Sequence, residues 1–394
     1  MTWDLAVVGA GPAGAATAIG AMRADPSLRV VMLDRADFPR DKSCGDGIAP
    51  HVIDLLEDAG VTGIVDDQVP VPRLRLIRGG LSADRDMARP TFVVPRTVFD
   101  HRLVEAAQVA GAELVRHRVR TIDDTGPKLA VDDAFRARVV VGADGAHSVV
   151  RRALGIDPGP MAVALRGYAP VPAGREAAQV IVFDTTRRSA YAWSFDRGDG
   201  IANVGYGEIL DHRSERPTKS RLLERLDALL PDAAAGGTDW RGHQLPLSSG
   251  SWRPVDGRIL LAGDAAGLVN PMTGEGIYYA VATGLAAGRA AAEAIAAGEP
   301  DGAGARYRRQ TGPMLDSHLR HIRVAARLCR SGAVIDAGLR SSAADQRVFD
   351  DLVELGLARG RITRTMVRGL ARGLFGPAGG RSATHHGEET PKEL

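Results

Sequence analysis

The chain has 394 residues, 44% of them hydrophobic and 25% charged, which suits two or three packed domains and excludes a disordered or fibrous protein. Fifty basic residues against 48 acidic ones leave a net charge of +2, too balanced for a dedicated nucleic-acid binder. Two cysteines, Cys44 and Cys329, form one bridge at most, so neither a disulfide framework nor a four-cysteine zinc site is available, and no other metal-ligand spacing appears.

In chain order, Asp4 to Val8 reads as a buried strand, a glycine-rich turn follows, and an alanine-rich helix runs to about Arg23. Leu28 to Leu33 is a second strand ending at Asp34, which completes a βαβ opening. A polar loop at Arg40 to Pro50 precedes a helix at His51 to Ala59. Leu74 to Ile77 and Thr91 to Val94 read as strands of a small insertion, and Thr97 to Ala110 as a helix with Val98, Leu103, Val104 and Ala107 on one face. Apolar runs at Leu114–Val119, Leu129–Val131 and Phe135–Val141 then suggest further strands. Between Met161 and Leu247 short strand-like segments dominate, interrupted by a leucine-rich helix at Arg221 to Leu230, which predicts a largely antiparallel sheet. The strand Arg258–Leu261 and a long helix from Glu275 return to the α/β style. Helical patterns at Met314–Cys329 and Val348–Leu357 follow, and residues beyond about 376 are expected to be a disordered tail. No basic signal segment and no uncharged stretch of spanning length is visible, so a cytoplasmic protein is expected.

Three glycine-rich segments each follow a strand and open a helix. The first, Gly9-Ala10-Gly11-Pro12-Ala13-Gly14, has the spacing that lets a backbone approach a pyrophosphate at a helix N-terminus. Asp34 and its neighbour Arg35, ending the next strand, stand where a carboxylate takes ribose hydroxyls. The motif specifies a dinucleotide without separating FAD from NAD. The second is Gly142-Ala143-Asp144-Gly145; the third is Gly263-Asp264-Ala265-Ala266, continuing through Gly274-Glu275-Gly276-Ile277. Tyr191, Trp193 and Phe195 alternate along one strand and so share a face. That face is either a core stripe or a ligand wall, and Cys44 in its glycine loop is either a plain buried thiol or a reactive one.

The trio in this order resembles the p-hydroxybenzoate hydroxylase-type FAD superfamily over residues 3–300. The resemblance implies that Gly9, Gly11, Ala13 and Gly14 bind the ADP part with Asp34 and Arg35, and that Asp144 lies over the pyrophosphate. It further places Gly263 and Asp264 on the ribityl chain, Gly274, Gly276 and Ile277 on the isoalloxazine ring, Arg96 against the flavin, and Val119 on the adenine side. The loop Lys42-Ser43-Cys44-Gly45-Asp46-Gly47 resembles the geranylgeranyl reductase branch, which implies Cys44, Gly45 and Gly47 beside the flavin, with Cys44 as a catalytic candidate. The same branch carries a Tyr-x-Trp-x-Phe-Pro strand along its prenyl tunnel. Tyr191, Trp193 and Phe195 keep its aromatics, whereas Asp196 replaces the proline.

The resemblance therefore implies an α/β plus α+β architecture: a Rossmann-like FAD-binding domain (1–71, 96–160 and 254–310), an antiparallel-sheet substrate domain (72–95 and 161–253), a helical region (311–376) and a tail (377–394). The expected activity is reduction of carbon–carbon double bonds in an isoprenoid or similar apolar substrate by hydride from reduced flavin. Hydroxylation of an aromatic or polyketide substrate is the alternative, with a flavin halogenase or a non-catalytic prenyl chaperone less favoured. No second GxGxxG lies between strand and helix, so electrons are expected from transiently docked NAD(P)H or from an external donor protein. Ile362, Met366, Leu370 and Leu374 with interspersed arginines give a basic amphipathic helix, which either packs on the protein or rests peripherally on an anionic membrane.

Overall fold

A computed structural model describes residues 2–211, 216–250 and 252–375. It opens with β1 (Thr2–Val8), α1 (Pro12–Ala24) and β2 (Val30–Asp34), the βαβ unit that the apolar spacing predicts. Strand β3 (Gly47–Ile48), α2 (Pro50–Asp58) and a hairpin of β4 (Pro70–Arg78) and β5 (Leu81–Val93) follow. Next come α3 (Arg96–Val109), β6 (Glu113–Arg116), β7 (Ile122–Asp123), β8 (Leu129–Val131), β9 (Phe135–Gly142) and α4 (Val149–Ala153). Val119 lies in the loop after β6 rather than in a strand, because the polar residues Arg116-His117-Arg118 end the apolar run.

The middle of the chain supplies β10 (Met161–Pro170), β11 (Ala178–Phe183), β12 (Ala190–Asp196), β13 (Ile201–Ile209), α5 (Lys219–Leu229) and β14 (Thr238–Pro246). Strand β15 (Ile259–Leu261), a 3₁₀ turn at Gly263–Ala266 and α6 (Ile277–Ala296) rejoin the first layer. Helices α7 (Ala303–Leu328), α8 (Gly332–Ala344), α9 (Gln346–Leu357) and α10 (Arg364–Phe375) end the described chain. The expected tail at 377–394 lies outside the described residues.

Two sheets result. In the first, β6-β2-β1-β9 are parallel, β15 pairs in parallel with β9, and the antiparallel β8 and β7 extend the edge. The eight-stranded second sheet runs β14-β10-β13-β12-β11-β4-β5-β3. It is antiparallel except where β11 lies parallel to β4. Apolar alternation carries no sign of pairing direction between distant strands, so that joint is invisible in the sequence. Strand β3 belongs to this sheet through β5, although it precedes residue 72.

Helix α7 begins well before the predicted Met314 and runs through Pro313. Gly304, Gly312 and Pro313 hide its first half, because each is a helix breaker by propensity that packing overrides here. Helix α8 was not predicted, since Gly332, Gly338 and the Ser341-Ser342 pair dilute its apolar stripe. Helix α6 crosses α1 backbone to backbone: a Cβ on Gly284 would stand 2.4 Å from the Ala13 carbonyl oxygen, and one on Gly288 2.0 Å from that of Thr17.

Candidate cofactor and substrate site

A single cavity of about 1850 Å³ starts at the carboxyl ends of β1, β2 and β9, passes the face of β10 to β12, and continues beneath α8, α9 and α10. A crevice at the carboxyl ends of parallel strands is where such sheets bind ligands. Its size is nearly twice the upper end of an ordinary small-molecule site, which leaves room for a second ligand beside a dinucleotide. Of the residues singled out in the sequence, Gly9, Gly11, Ala13, Asp34, Arg35, Cys44, Gly45, Gly47, Arg96, Val119, Asp144, Tyr191, Trp193, Phe195, Asp264, Gly274, Gly276 and Ile277 all line it. Gly14 and Gly263 stand behind the wall. A Cβ on Gly14 would lie 1.8 Å from the Gly9 carbonyl oxygen, and Gly263 donates its N–H to Thr283 Oγ1 at 3.0 Å, so both are packing positions.

At the strand end the three loops meet. Gly9 takes φ +97°, and a Cβ there would lie 2.4 Å from the Ala143 carbonyl oxygen, so the first two loops can close only around glycine. Helix α1 starts with Gly11 at its N-cap, no side-chain cap and no acidic residue in its first turn. Its end N–H groups and positive dipole are thus uncompensated by the chain, an arrangement that suits a pyrophosphate. Asp34 accepts the Ala10 N–H on Oδ2 at 2.8 Å and the Ala36 N–H on Oδ1 at 2.9 Å, and each oxygen keeps a lone pair for a ribose hydroxyl. Asp144 turns to α4, accepting the Ser148 hydroxyl at 2.5 Å and the Val149 N–H at 2.6 Å, so it fixes the second loop.

Deeper in, Lys42 Nζ sits 3.0 Å from Asp264 Oδ2. Burial pushes the Asp264 carboxyl up, but the Lys42 ammonium outweighs it and holds the group below its ordinary range. Arg96 is buried and makes a two-pronged bond to Asp100 at 2.6 and 2.8 Å, with Arg40 on the same carboxylate at 3.1 Å. His243 was not anticipated, as a lone histidine on β14 belongs to no motif. It lines the same wall, Nε2 meets no partner, and burial pushes it down to about 4, so the ring is neutral near pH 7. An uncapped helix end, a carboxylate at the end of β2 with lone pairs to spare and a charged pair at the third loop together fit FAD.

The second half of the site is a hydrogen-bonded block that ties the Cys44 loop to the aromatic strand. Asn203, fully buried on β13, donates from Nδ2 to the Cys44 carbonyl oxygen and to Asp46 Oδ2, both at 2.8 Å. Its Oδ1 accepts Trp193 Nε1–H at 2.8 Å. Arg166, also fully buried, donates to the Lys42 carbonyl oxygen at 3.0 Å, and its guanidinium lies over the Tyr168 ring at 4.4 Å. Tyr191 donates its hydroxyl to the Thr273 carbonyl oxygen at 2.5 Å, joining β12 to the loop before α6. A Cβ on Gly45 would meet Phe195 at 3.3 Å, so the Cys44 loop rests on the aromatic row. Burial pushes the Cys44 thiol up, against the opposing Arg96 charge, and keeps it protonated. Glu275, in the loop before α6, is pushed up to about 7 by burial while it accepts the Tyr278 N–H at 2.7 Å.

Asp46 gives a pH signature. It is buried at φ +60°, Tyr168 and Asn203 both donate to Oδ2, and Oδ1 has no partner. Burial pushes its carboxyl from 3.8 up to about 6. Between those values the unfolded chain releases its proton while the folded protein keeps it, so stability falls as pH rises through the window and is level above it. Asn mimics the protonated acid. Asp46→Asn should therefore gain stability relative to the parent by up to about 3 kcal/mol between pH 4 and 6, in denaturant melts across that range. A difference that does not change with pH would refute the assignment.

A parallel sheet carrying three glycine-rich loops on one crevice, beside an aromatic-walled second chamber, defines a dinucleotide-dependent redox scaffold. The FAD binding domain family matches residues 2–310, so the chain belongs to that family and is an FAD-dependent oxidoreductase. It is 33% identical over 329 residues to a menaquinone reductase of Mycolicibacterium smegmatis, covering 75% of this chain and 76% of that protein. It is also 33% identical over 316 residues to a digeranylgeranylglycerophospholipid reductase of Methanopyrus kandleri, covering 75% of this chain and 78% of that protein. Among solved structures, a geranylgeranyl bacteriochlorophyll reductase-like protein of Thermoplasma acidophilum superposes with a TM-score of 0.77 at 20% identity, covering 94% of this chain and 96% of that one. A probable FAD-dependent monooxygenase of Pseudomonas aeruginosa shares the fold with a TM-score of 0.65 at 21% identity, covering 89% of this chain and all of that one.

Proposed function

We propose that the protein reduces carbon–carbon double bonds in the polyprenyl chain of a lipid. The observation that carries this reading is the continuity of the cavity: from the dinucleotide loops it passes Tyr191, Trp193 and Phe195 into a chamber walled by residues such as Leu76, Ile181, Phe183, Leu339, Leu352 and Leu370. A long apolar chain loses water along its whole length there, at roughly 25 cal/mol per Å² of buried area. The relatives named as menaquinone and digeranylgeranylglycerophospholipid reductases support the same substrate class.

FAD, once bound and reduced, would supply the hydride. The chain's own residues do the rest. The Asn203 block holds the Cys44 loop against the aromatic wall, so an alkene threaded past Trp193 is fixed in register. An unactivated alkene stabilises little negative charge, so a proton must reach one carbon as hydride reaches the other. Cys44, protonated and facing the cavity, holds such a proton at Sγ, and the apolar chamber excludes competing water. Electrons enter from NAD(P)H docking transiently or from a donor protein.

Purified holoprotein, reduced without oxygen and mixed with detergent-solubilised polyprenyl lipids of increasing length, tests the reading. Prompt return of the oxidised flavin absorbance with long chains, and little with a single prenyl unit, is expected. Reoxidation only after oxygen is admitted would favour a hydroxylase and overturn the assignment.

A further inference from the structure

Among the described residues, six large hydrophobic side chains are exposed, and four of them cluster on two helices at one end of the cavity. Val324 (45% exposed) and Leu328 (44%) lie on the last turns of α7; Val367 (54%) and Leu374 (43%) lie on α10. Leu328, Val367 and Leu374 also line the cavity, so side chains that face both solvent and the chamber form its rim. The opposite face of α10 is packed. Gly369 packs between α8 and α9, where a Cβ would come within 2.9 Å of Val348 Cγ2, Gly373 packs on α8, where a Cβ would come within 2.6 Å of the Ala337 carbonyl oxygen, and Met366 is buried. Helix α10 is therefore fixed to the protein by one side and offers its apolar residues from the other.

The charge along α10 and the end of α7 is predominantly positive, with Asp351 bonded to Thr363 and Asp345 near Arg372 as acidic neighbours. Residues 317–335 and 355–375 contain nine arginines and no Asp or Glu. Arg327, Arg330, Arg361, Arg364, Arg368 and Arg372 among them are exposed. An apolar patch ringed by guanidinium groups is complementary to the surface of an anionic bilayer, whose headgroups meet the arginines while the aliphatic side chains enter the acyl boundary. No helix among the described residues is long and apolar enough to cross a membrane.

We infer that the α7–α10 rim docks on an anionic membrane surface and that the cavity opens there, so that a polyprenyl chain passes from the bilayer into the chamber without crossing water. The chain-passage part rests on the proposed function; the docking part does not. Flavin-loaded full-length protein should co-sediment with vesicles of equimolar phosphatidylcholine and phosphatidylglycerol, and much less with phosphatidylcholine alone. The pair Leu328→Asp and Val367→Asp, and separately the pair Arg364→Glu and Arg368→Glu, should each weaken that binding about tenfold or more with flavin content and melting temperature unchanged. Vesicle binding that these pairs leave intact, or no binding at low salt, would overturn docking whether or not solubilised lipid is still reduced. A self-association that the Leu328 and Val367 pair disrupts, seen by sedimentation velocity without vesicles, would assign the rim to a second copy of the chain and overturn it equally. Loss of lipid reduction with vesicle binding preserved would instead fall on the proposed function.

Discussion

Gly284→Val is expected to give a protein that is destabilised by about 3 kcal/mol or more and purifies without flavin. The first carbon of any side chain at this position would already stand 2.4 Å from the Ala13 carbonyl oxygen and 2.9 Å from Ala16 Cβ. Neither neighbour is the end of a flexible side chain; both belong to α1. The helices must therefore separate, and α1 carries the N-terminal end on which the dinucleotide pyrophosphate is expected. Stability and cofactor binding should fail together, read as a lower denaturant midpoint and a lost 450 nm band. A variant with parental stability and flavin content would show that the α1–α6 contact does not position the loop.

Asn203→Leu, close in volume to the original, is expected to keep FAD and lose about a hundredfold or more in turnover. Leucine can replace the packing of Asn203 but none of its three hydrogen bonds to Cys44, Asp46 and Trp193. Trp193 Nε1 would be left buried without a partner, at a cost of about 1–3 kcal/mol. That cost is relieved by moving the indole or the Cys44 loop, and either movement displaces substrate from the flavin. Asn203 lines no part of the dinucleotide end, so flavin content should hold and Trp193 fluorescence should shift. Unchanged turnover with long-chain substrate would remove the block from the account.

These two residues mark the boundary of what the sequence reveals. Loops were legible where chemistry forces a residue type at fixed spacing, as in Gly9 to Gly14 with Asp34, or Gly263-Asp264. The aromatic alternation of Tyr191, Trp193 and Phe195 likewise shows one shared face, and the structure adds that this face lines the cavity. Asn203, Arg166 and His243 left no trace, since a single polar residue within a strand is indistinguishable from one facing solvent until the sheet order is known. The long chamber was hidden for a related reason. Much of its far wall is built by α8, whose glycines and serines blur the helical stripe. The glycines of α10 weaken a free helix, yet they are the contact surface by which that helix is held.

The mass of the product formed from a polyprenyl lipid, with and without oxygen, tests the central claim most directly. Reduced holoprotein should give a product heavier by two hydrogens per double bond reduced, with no oxygen atom added in either atmosphere, even where air draws off part of the reduced flavin. A product that gains an oxygen atom, and forms only when oxygen is present, would contradict it.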